Sequence, residues 1–303
     1  MLSFYPLKKL DRTYYRTHVK ACGFHYKSCE YAYANLFSWS GMYKTVYAET
    51  EDGFFFRMHH DGADYFLCPV VSPKAAERAF ITLAGYEKER GGQCLNFVCL
   101  PGDFADVIKK IWPDAVITNS RDSADYIYET GRLATFSGKA LHTKKNHRNR
   151  FFALYGDSYE YRAMTASDIP LCLAFNKTWY ALNAAYDNFE FSNERIATTR
   201  LLENFDLLHL SGGMIFANGE LCAYTLASDN YDGADTLNIH TEKGLYDVEG
   251  VYPVICSEFL LHNGSPYTYV NREDDVGDEG LRKSKLSYKP LAFEEKFSAS
   301  IQL

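Results

Sequence analysis

Residues 44–70 read KTVYAETEDGFFFRMHHDGADYFLCPV, and residues 213–241 read GMIFANGELCAYTLASDNYDGADTLNIHT. Each stretch holds three short β-type runs divided by two turn words. The turns are Asp52-Gly53 and Asp61-Gly62 in the first, Asn218-Gly219 and Asp232-Gly233 in the second. Such pairs between aromatic and β-branched runs close hairpins, because their residues tolerate the positive φ of a tight turn. The word DGAD recurs at 61–64 and 232–235, in the same slot of the pattern. Three antiparallel strands are therefore expected twice.

The segment after each triplet also repeats. After the first, Ser72 and Pro73 suit a helix start, Ala76, Phe80, Leu83 and Ala84 keep a helical stripe, and Gly91-Gly92 ends it. CLNFVCL (94–100) is the next strand. After the second, a helix through Val251, Ile255 and Phe259 runs to His262 and Gly264, and PYTYVN (266–271) is a strand. A helical crossover makes that last strand parallel to the third. Helices also precede each triplet. In the second half Thr165 and Asp168 form a capping-box pattern, and Ser192 is expected to cap a helix carrying Ile196, Leu201 and Phe205. This β-β-β-α-β core with leading helices looks like the GNAT acyltransferase fold present twice. The expected class is α+β, with mixed sheets flanked by helices, divided into 1–150 and 151–303.

The bulk numbers fit two ordinary globular halves. The chain has 303 residues, 47% hydrophobic and 23% charged, which is long for a single core. A formal charge of −7 argues against general affinity for nucleic acid or anionic membrane, and leaves room for a local basic site. The opening MLSFYPLKKLDRTYY has no apolar signal core, and no run approaches the ~18 apolar residues of a membrane span. Eight Cys form no CxxC pair, so no metal site is expected; Cys68, Cys99 and Cys222 lie in apolar runs, as core thiols do. A reducing cytoplasm without disulfides is the expectation.

Common nucleotide and hydrolase motifs are missing. There is no GxGxxG and no G-x-S-x-G, and Gly131 to Gly138-Lys139 misses the Walker spacing, with Ala140 where a hydroxyl is needed. Two charged stretches remain. GKALHTKKNHRNRFF (138–152) gathers Lys139, Lys144, Lys145, Arg148 and Arg150, either a phosphate site or a solvated linker between the halves. NREDDVGDEGLRKSKLSYKP (271–290) mixes Glu273, Asp274, Asp275, Asp278 and Glu279 with Arg282, Lys283, Lys285 and Lys289. Alone it reads as a surface loop with weak ion pairs. Its position raises its interest, since ligands collect where parallel strands end. The third strand of the second half ends in His240, Glu242 and Lys243, and its parallel neighbour in Arg272, Glu273 and Asp274. The matching ends in the first half, Pro69-Val70-Val71 and Leu100-Pro101-Gly102, carry nothing titratable. Any active site is thus expected in the second half.

The words LATFSGKALHTKKNHRNRF, HTEKGLY and NREDDVGDEGLRKSKLSYKP resemble the phosphatidylglycerol lysyltransferase C-terminal-like family across essentially the whole chain. That family comprises tandem-GNAT proteins related to aminoacyl-phosphatidylglycerol synthases and, further off, to Fem peptidyltransferases. The resemblance implies transfer of an aminoacyl or acyl group from an activated donor, aminoacyl-tRNA or acyl-CoA, to an amine or hydroxyl of a small molecule, peptide or lipid. CoA or aminoacyl-tRNA would come as co-substrate, with no tightly bound cofactor. The R/Q-x-x-G-x-G/A loop of acetyl-CoA enzymes is absent: EKGLYDVEGVYP stands in its place. Transfer needs a proton acceptor and a cation for the developing oxyanion. Glu242 is the first choice of acceptor, then Glu273 or Asp274. Lys285 resembles the family's active-site lysine, with Lys243 and Arg282 as further cations. Lys144, Lys145, Arg148 and Arg150 are candidate donor-anion ligands, and Arg272, Glu273 and Tyr288 are expected to line the cleft. The alternative is a non-catalytic module binding a nucleotide, coenzyme or protein.

Overall fold

The computed structural model describes residues 2–183 and 189–303. The first repeat runs β1 (Tyr5–Pro6), α1 (Arg12–Cys22), α2 (Tyr33–Trp39), β2 (Val46–Thr50), β3 (Gly53–His60), β4 (Ala63–Leu67), β5 (Val70–Val71), α3 (Ala76–Glu89), β6 (Cys94–Leu100), α4 (Gly102–Ile111), β7 (Val116–Asn119) and β8 (Asp125–Glu129). Helices α5 (Thr130–Thr135) and α6 (His142–Tyr155) connect it to the second. There follow β9 (Tyr159–Ala163), α7 (Ile169–Leu182), α8 (Phe189–Glu203), β10 (Ser211–Ala217), β11 (Glu220–Asp229), β12 (Thr236–Gly244), α9 (Val251–Asn263), β13 (Tyr269–Asn271), α10 (Glu279–Ser287), β14 (Ala292–Glu294) and β15 (Phe297–Gln302). Apart from the two-residue β5, the order of elements is the same twice.

Three of the four turn words close hairpins as read, Asp52-Gly53 with positive φ at Gly53 alone. Asp61-Gly62 and Asn218-Gly219 both hold two successive positive φ angles, 48° and 76°, then 53° and 81°. Asp232-Gly233 instead lies in a longer loop between β11 and β12. There Arg16 of α1 pairs with Asp229 at 2.6 Å and Asp232 at 2.5 Å, pulling the loop onto the first half. The capping box of Thr165 and Asp168 is present, whereas Ser192 lies inside α8 rather than at its start.

One sheet has the order β1-β2-β3-β4-β6-β15-β7, with β5 beside β3; the other has β14-β8-β13-β12-β11-β10-β9. The crossover helices α3 and α9 give parallel pairs β4–β6 and β12–β13. Residue 150 is the expected boundary. That position lies inside α6, and the repeats exchange their last strands. β8 of the first repeat pairs with β13 and β14 of the second; β15 of the second pairs with β6 and β7 of the first. A buried ion pair fixes the crossing. Lys296, just before β15, reaches Asp125, at the start of β8, at 2.6 Å and Glu30 at 2.5 Å. One apolar cluster also runs through both halves, from Phe56, Phe66 and Phe97 to Trp179, Tyr224 and Leu226. The two halves therefore share buried apolar surface.

Candidate active site

Strands β12 and β13 pair over only three positions, ending at Asn238 opposite Asn271. β12 continues to Gly244 while the chain after Asn271 turns away, so a wedge opens between them. Two side-chain bridges cross it. Arg272 Nη2 donates to Glu242 Oε1 at 2.7 Å. His240 Nδ1 lies 3.0 Å from Glu273 Oε1, and its Nε2 lies 2.8 Å from Ser228 Oγ. The carboxylate can only accept, which puts the imidazole proton on Nδ1. The second bridge depends on a bulge: β11 pairs Leu226 with Thr241 and Ala227 with Ile239, leaving His240 out of the ladder.

Around Glu242 the side chains are cationic and aromatic. Lys144 stands 3.9 Å from the centre of the Tyr288 ring, and the Arg272 guanidinium 4.6 Å from the same ring. Helix α6 supplies Lys144, Arg148 and Phe151 along one stripe, at i, i+4 and i+7. Arg148 donates to Ser257 of α9 at 2.9 Å. Burial pushes the Glu242 carboxyl up, opposed by Arg272, Lys144 and Lys285. Burial works against the charge of Arg272 too, but Glu242, Cys256, Tyr288 and Tyr128 together outweigh it and the guanidinium stays protonated. Lys144 is pushed down to about 8 by burial and by Arg272. Arg272 Nη1 and Arg148 Nε are buried without a hydrogen-bond partner.

Lys285 is half-buried on α10, and its ammonium donates to the carbonyls of Arg272, at 2.7 Å, and of Asp274. Burial pushes its pKa down, against Asp274 and Glu273. Lys285 thus ties down the backbone of the wedge, between Glu242 and Asp274. Asp274 belongs to a neighbouring group, 3.8 Å from Lys296, and burial pushes its carboxyl up to about 6 against that lysine. Tyr288 is buried beside Lys144 and Arg272, at the end of a helix rather than in a strand. The stretch read as a surface loop forms α10 because Asp278 accepts from the Leu281 amide at 2.6 Å as a cap.

Other expected ligands stand elsewhere. Lys243 follows Glu242 along a strand and so faces the other side of the sheet. There it pairs with Glu194 at 2.5 Å and lies 4.0 Å over Trp179. Arg282 is held in a two-bond pair by Asp275, at 2.7 and 2.9 Å, and by Asp122 at 2.6 Å. Arg150 pairs with Glu249 at 2.8 Å on the outer face of α6, and Lys145 is exposed there. The sequence reading missed the relay through His240 and the role of Lys296. No local pattern marks a bulge, and Lys296 acts about 170 residues away through the strand exchange. Among the described residues Cys29, Glu30 and Asp125 have metal-ligand spacing, but the Lys296 ammonium stands among them.

The first half offers a contrast. Cys99 matches Glu273, each in the left-handed region at φ 56° and 57°. β4 and β6 part after Leu67 opposite Val98, and the buried Tyr31 donates to the Cys99 carbonyl there at 2.6 Å. An aromatic ring stands where the second half has charged groups.

These features define a tandem GNAT-like protein whose charged wedge lies in the second repeat. The chain belongs to the family described as phosphatidylglycerol lysyltransferase, C-terminal, which it matches over residues 23–300. A conserved protein of unknown function from Bacteroides thetaiotaomicron is 31% identical, covers 100% of both chains and superposes with TM-score 0.89. L-PGS from Bacillus licheniformis shares the fold at 11% identity and TM-score 0.65, over 95% of this chain and 91% of its own. FemX shares it at 8% identity and TM-score 0.58, over 97% and 96%. A protein of Mycoplasmoides gallisepticum is 24% identical over 168 residues, 55% of this chain; the match spans 53% of that relative's length. No helix among the described residues is long and apolar enough to cross a membrane.

Proposed function

We propose that the chain is an aminoacyl or acyl transferase, moving that group from an activated donor to an amine or hydroxyl acceptor in the β12–β13 wedge. The supporting observation is the charge balance there. Arg272, Lys144 and Lys285 all act on the Glu242 carboxylate, and two buried guanidinium nitrogens, Arg272 Nη1 and Arg148 Nε, have no acceptor. Such a site is complete only with an anion, and the phosphates of aminoacyl-tRNA or acyl-CoA supply one. In this reading Arg272 has two partners in turn. Before the donor binds it holds Glu242. A donor phosphate competes for the guanidinium and leaves Glu242 a buried carboxylate with less compensation, hence a stronger base. Glu242 then takes the proton of the attacking acceptor, and Lys144 faces the oxyanion.

The test is single-turnover transfer from labelled aminoacyl-tRNA and from acyl-CoA to a panel of amines and alcohols. Turnover lost in Glu242→Gln, with the fold retained, supports the reading. Full turnover in Glu242→Gln removes the proposed base. A second reading, a module that only binds its ligand, is favoured by the Glu242–Arg272 pair and the fully engaged Lys285. Donor binding without turnover for every acceptor selects it.

A further inference from the structure

The first sheet carries a polar groove of about 600 Å³ at the opposite end from the wedges, where β4 and β6 begin. Its walls include Lys44 before β2, Arg57 and His59 on β3, Asp64 on β4, Arg90 after α3 and Asn96 on β6. The two guanidiniums are held in place. Arg57 lies 5.0 Å from the Phe4 ring and donates to Tyr86 OH at 2.8 Å; Arg90 lies 5.2 Å from the Tyr86 ring. Asp64 organises the rest, with His59 Nδ1 at 2.7 Å on one oxygen, both Arg90 terminal nitrogens at 3.0 Å on the other, and Arg57 at 3.6 Å.

The two carboxylates of this network, Asp64 and Glu87, are both engaged inside it, Glu87 by Arg90 at 2.8 Å, and several of the donors are not. Both Asp64 oxygens are engaged, and the Asn96 carbonyl accepts from Ser300 at 2.9 Å, which leaves its amide hydrogens for the groove. Arg57 makes one hydrogen bond and keeps its other N–H groups. Lys44 has no hydrogen bond or ion pair to any described residue. A concave wall of fixed donors selects a ligand made of acceptors. Donors converge from three chain segments, more than a flat two-oxygen carboxylate uses and well matched to a tetrahedral oxyanion. We propose that this groove binds the phosphoryl group of a small molecule of roughly nucleotide size. It lies in the other sheet from the candidate active site and shares no residue with it.

Inorganic pyrophosphate is the probe, followed by calorimetry and by amide NMR shifts of the full chain. Binding is expected to move the amides of Lys44, His59 and Asn96. Arg57→Gln should weaken it about tenfold, and Lys44→Gln, which disturbs no other side chain, about threefold. Circular dichroism checks the fold of Arg57→Gln, and Lys44→Gln carries the test if that variant unfolds. Lack of binding at about 10 mM overturns the proposal. So does equal affinity in both variants, affinity lost only in Lys144→Gln, or citrate binding as tightly as pyrophosphate.

Discussion

Glu273 holds a left-handed backbone, φ 57°, that residues with a side chain seldom adopt. Its surroundings compensate. Its amide donates to Asn271 Oδ1 at 2.6 Å, its carbonyl accepts from the Tyr126 amide at 3.2 Å, and its carboxylate meets His240. This turn aims Arg272 at Glu242, which makes His240 a positioning residue. An Asn side chain reproduces the Nδ1 donor and a Gln side chain the Nε2 position. His240→Asn should therefore keep most transfer or donor binding and His240→Gln should lose it, about tenfold, with similar melting temperatures. Equal losses in both would reduce His240 to packing. Lys144 gives a second prediction. With its pKa at about 8, it is protonated below that pH and neutral above. Donor affinity should be full near pH 7 and fall as pH rises through 8. Lys144→Arg keeps its charge and should flatten the profile; a profile unchanged in that variant assigns the titration elsewhere. At this scale the sequence was partly legible. Glu242 and Arg272 could be read as neighbours because strand ends follow from strand order, whereas Tyr288 closes a helix. Lys243 was grouped with Glu242 although successive strand residues face opposite sides of the sheet. The engagement of Arg282 by Asp275 and Asp122 needed the three-dimensional arrangement.

Helix α10 is the element that decides whether the wedge is built. Its inner positions present Lys285 and, just beyond, Tyr288; its outer positions carry Arg282, Lys283 and Leu286. Only nine residues long, it depends on its ends. Asp278→Ala removes the cap and should cost about 1 kcal/mol, read as a lower denaturant midpoint with unchanged slope. Hydrogen exchange should quicken first in 279–287; uniform quickening would mean that the helix does not open on its own. Such a helix hides in a sequence because charged residues dominate it and only Leu281 and Leu286 are apolar within it. The longer elements declared themselves: α3 and α9 by apolar stripes, the hairpins by their turn words. Helix α6 was read as a basic strip or a linker, since one buried residue, Phe151, marks its inner face.

For the whole molecule, the repeat was legible and the exchange of last strands was not. A strand's partner 200 residues away leaves no local trace. Expressing 1–150 and 151–303 separately should give two insoluble products, each sheet lacking the strand next to one edge, β15 or β8. Co-expression should recover a soluble complex, and two independently soluble halves would contradict the shared core. Ending the chain at residue 296 should likewise unfold the first sheet although the lost residues belong to the second repeat. The exchange also has a consequence in time. On the ribosome, β6 and β7 emerge early but the strand that joins them comes roughly 200 residues later. At about 5–20 residues per second, two bare edges wait for tens of seconds. Until then each is open to pairing with other nascent chains. Solubility of this protein during synthesis should therefore depend on helpers that shield unfinished sheets, long after half of it has been made.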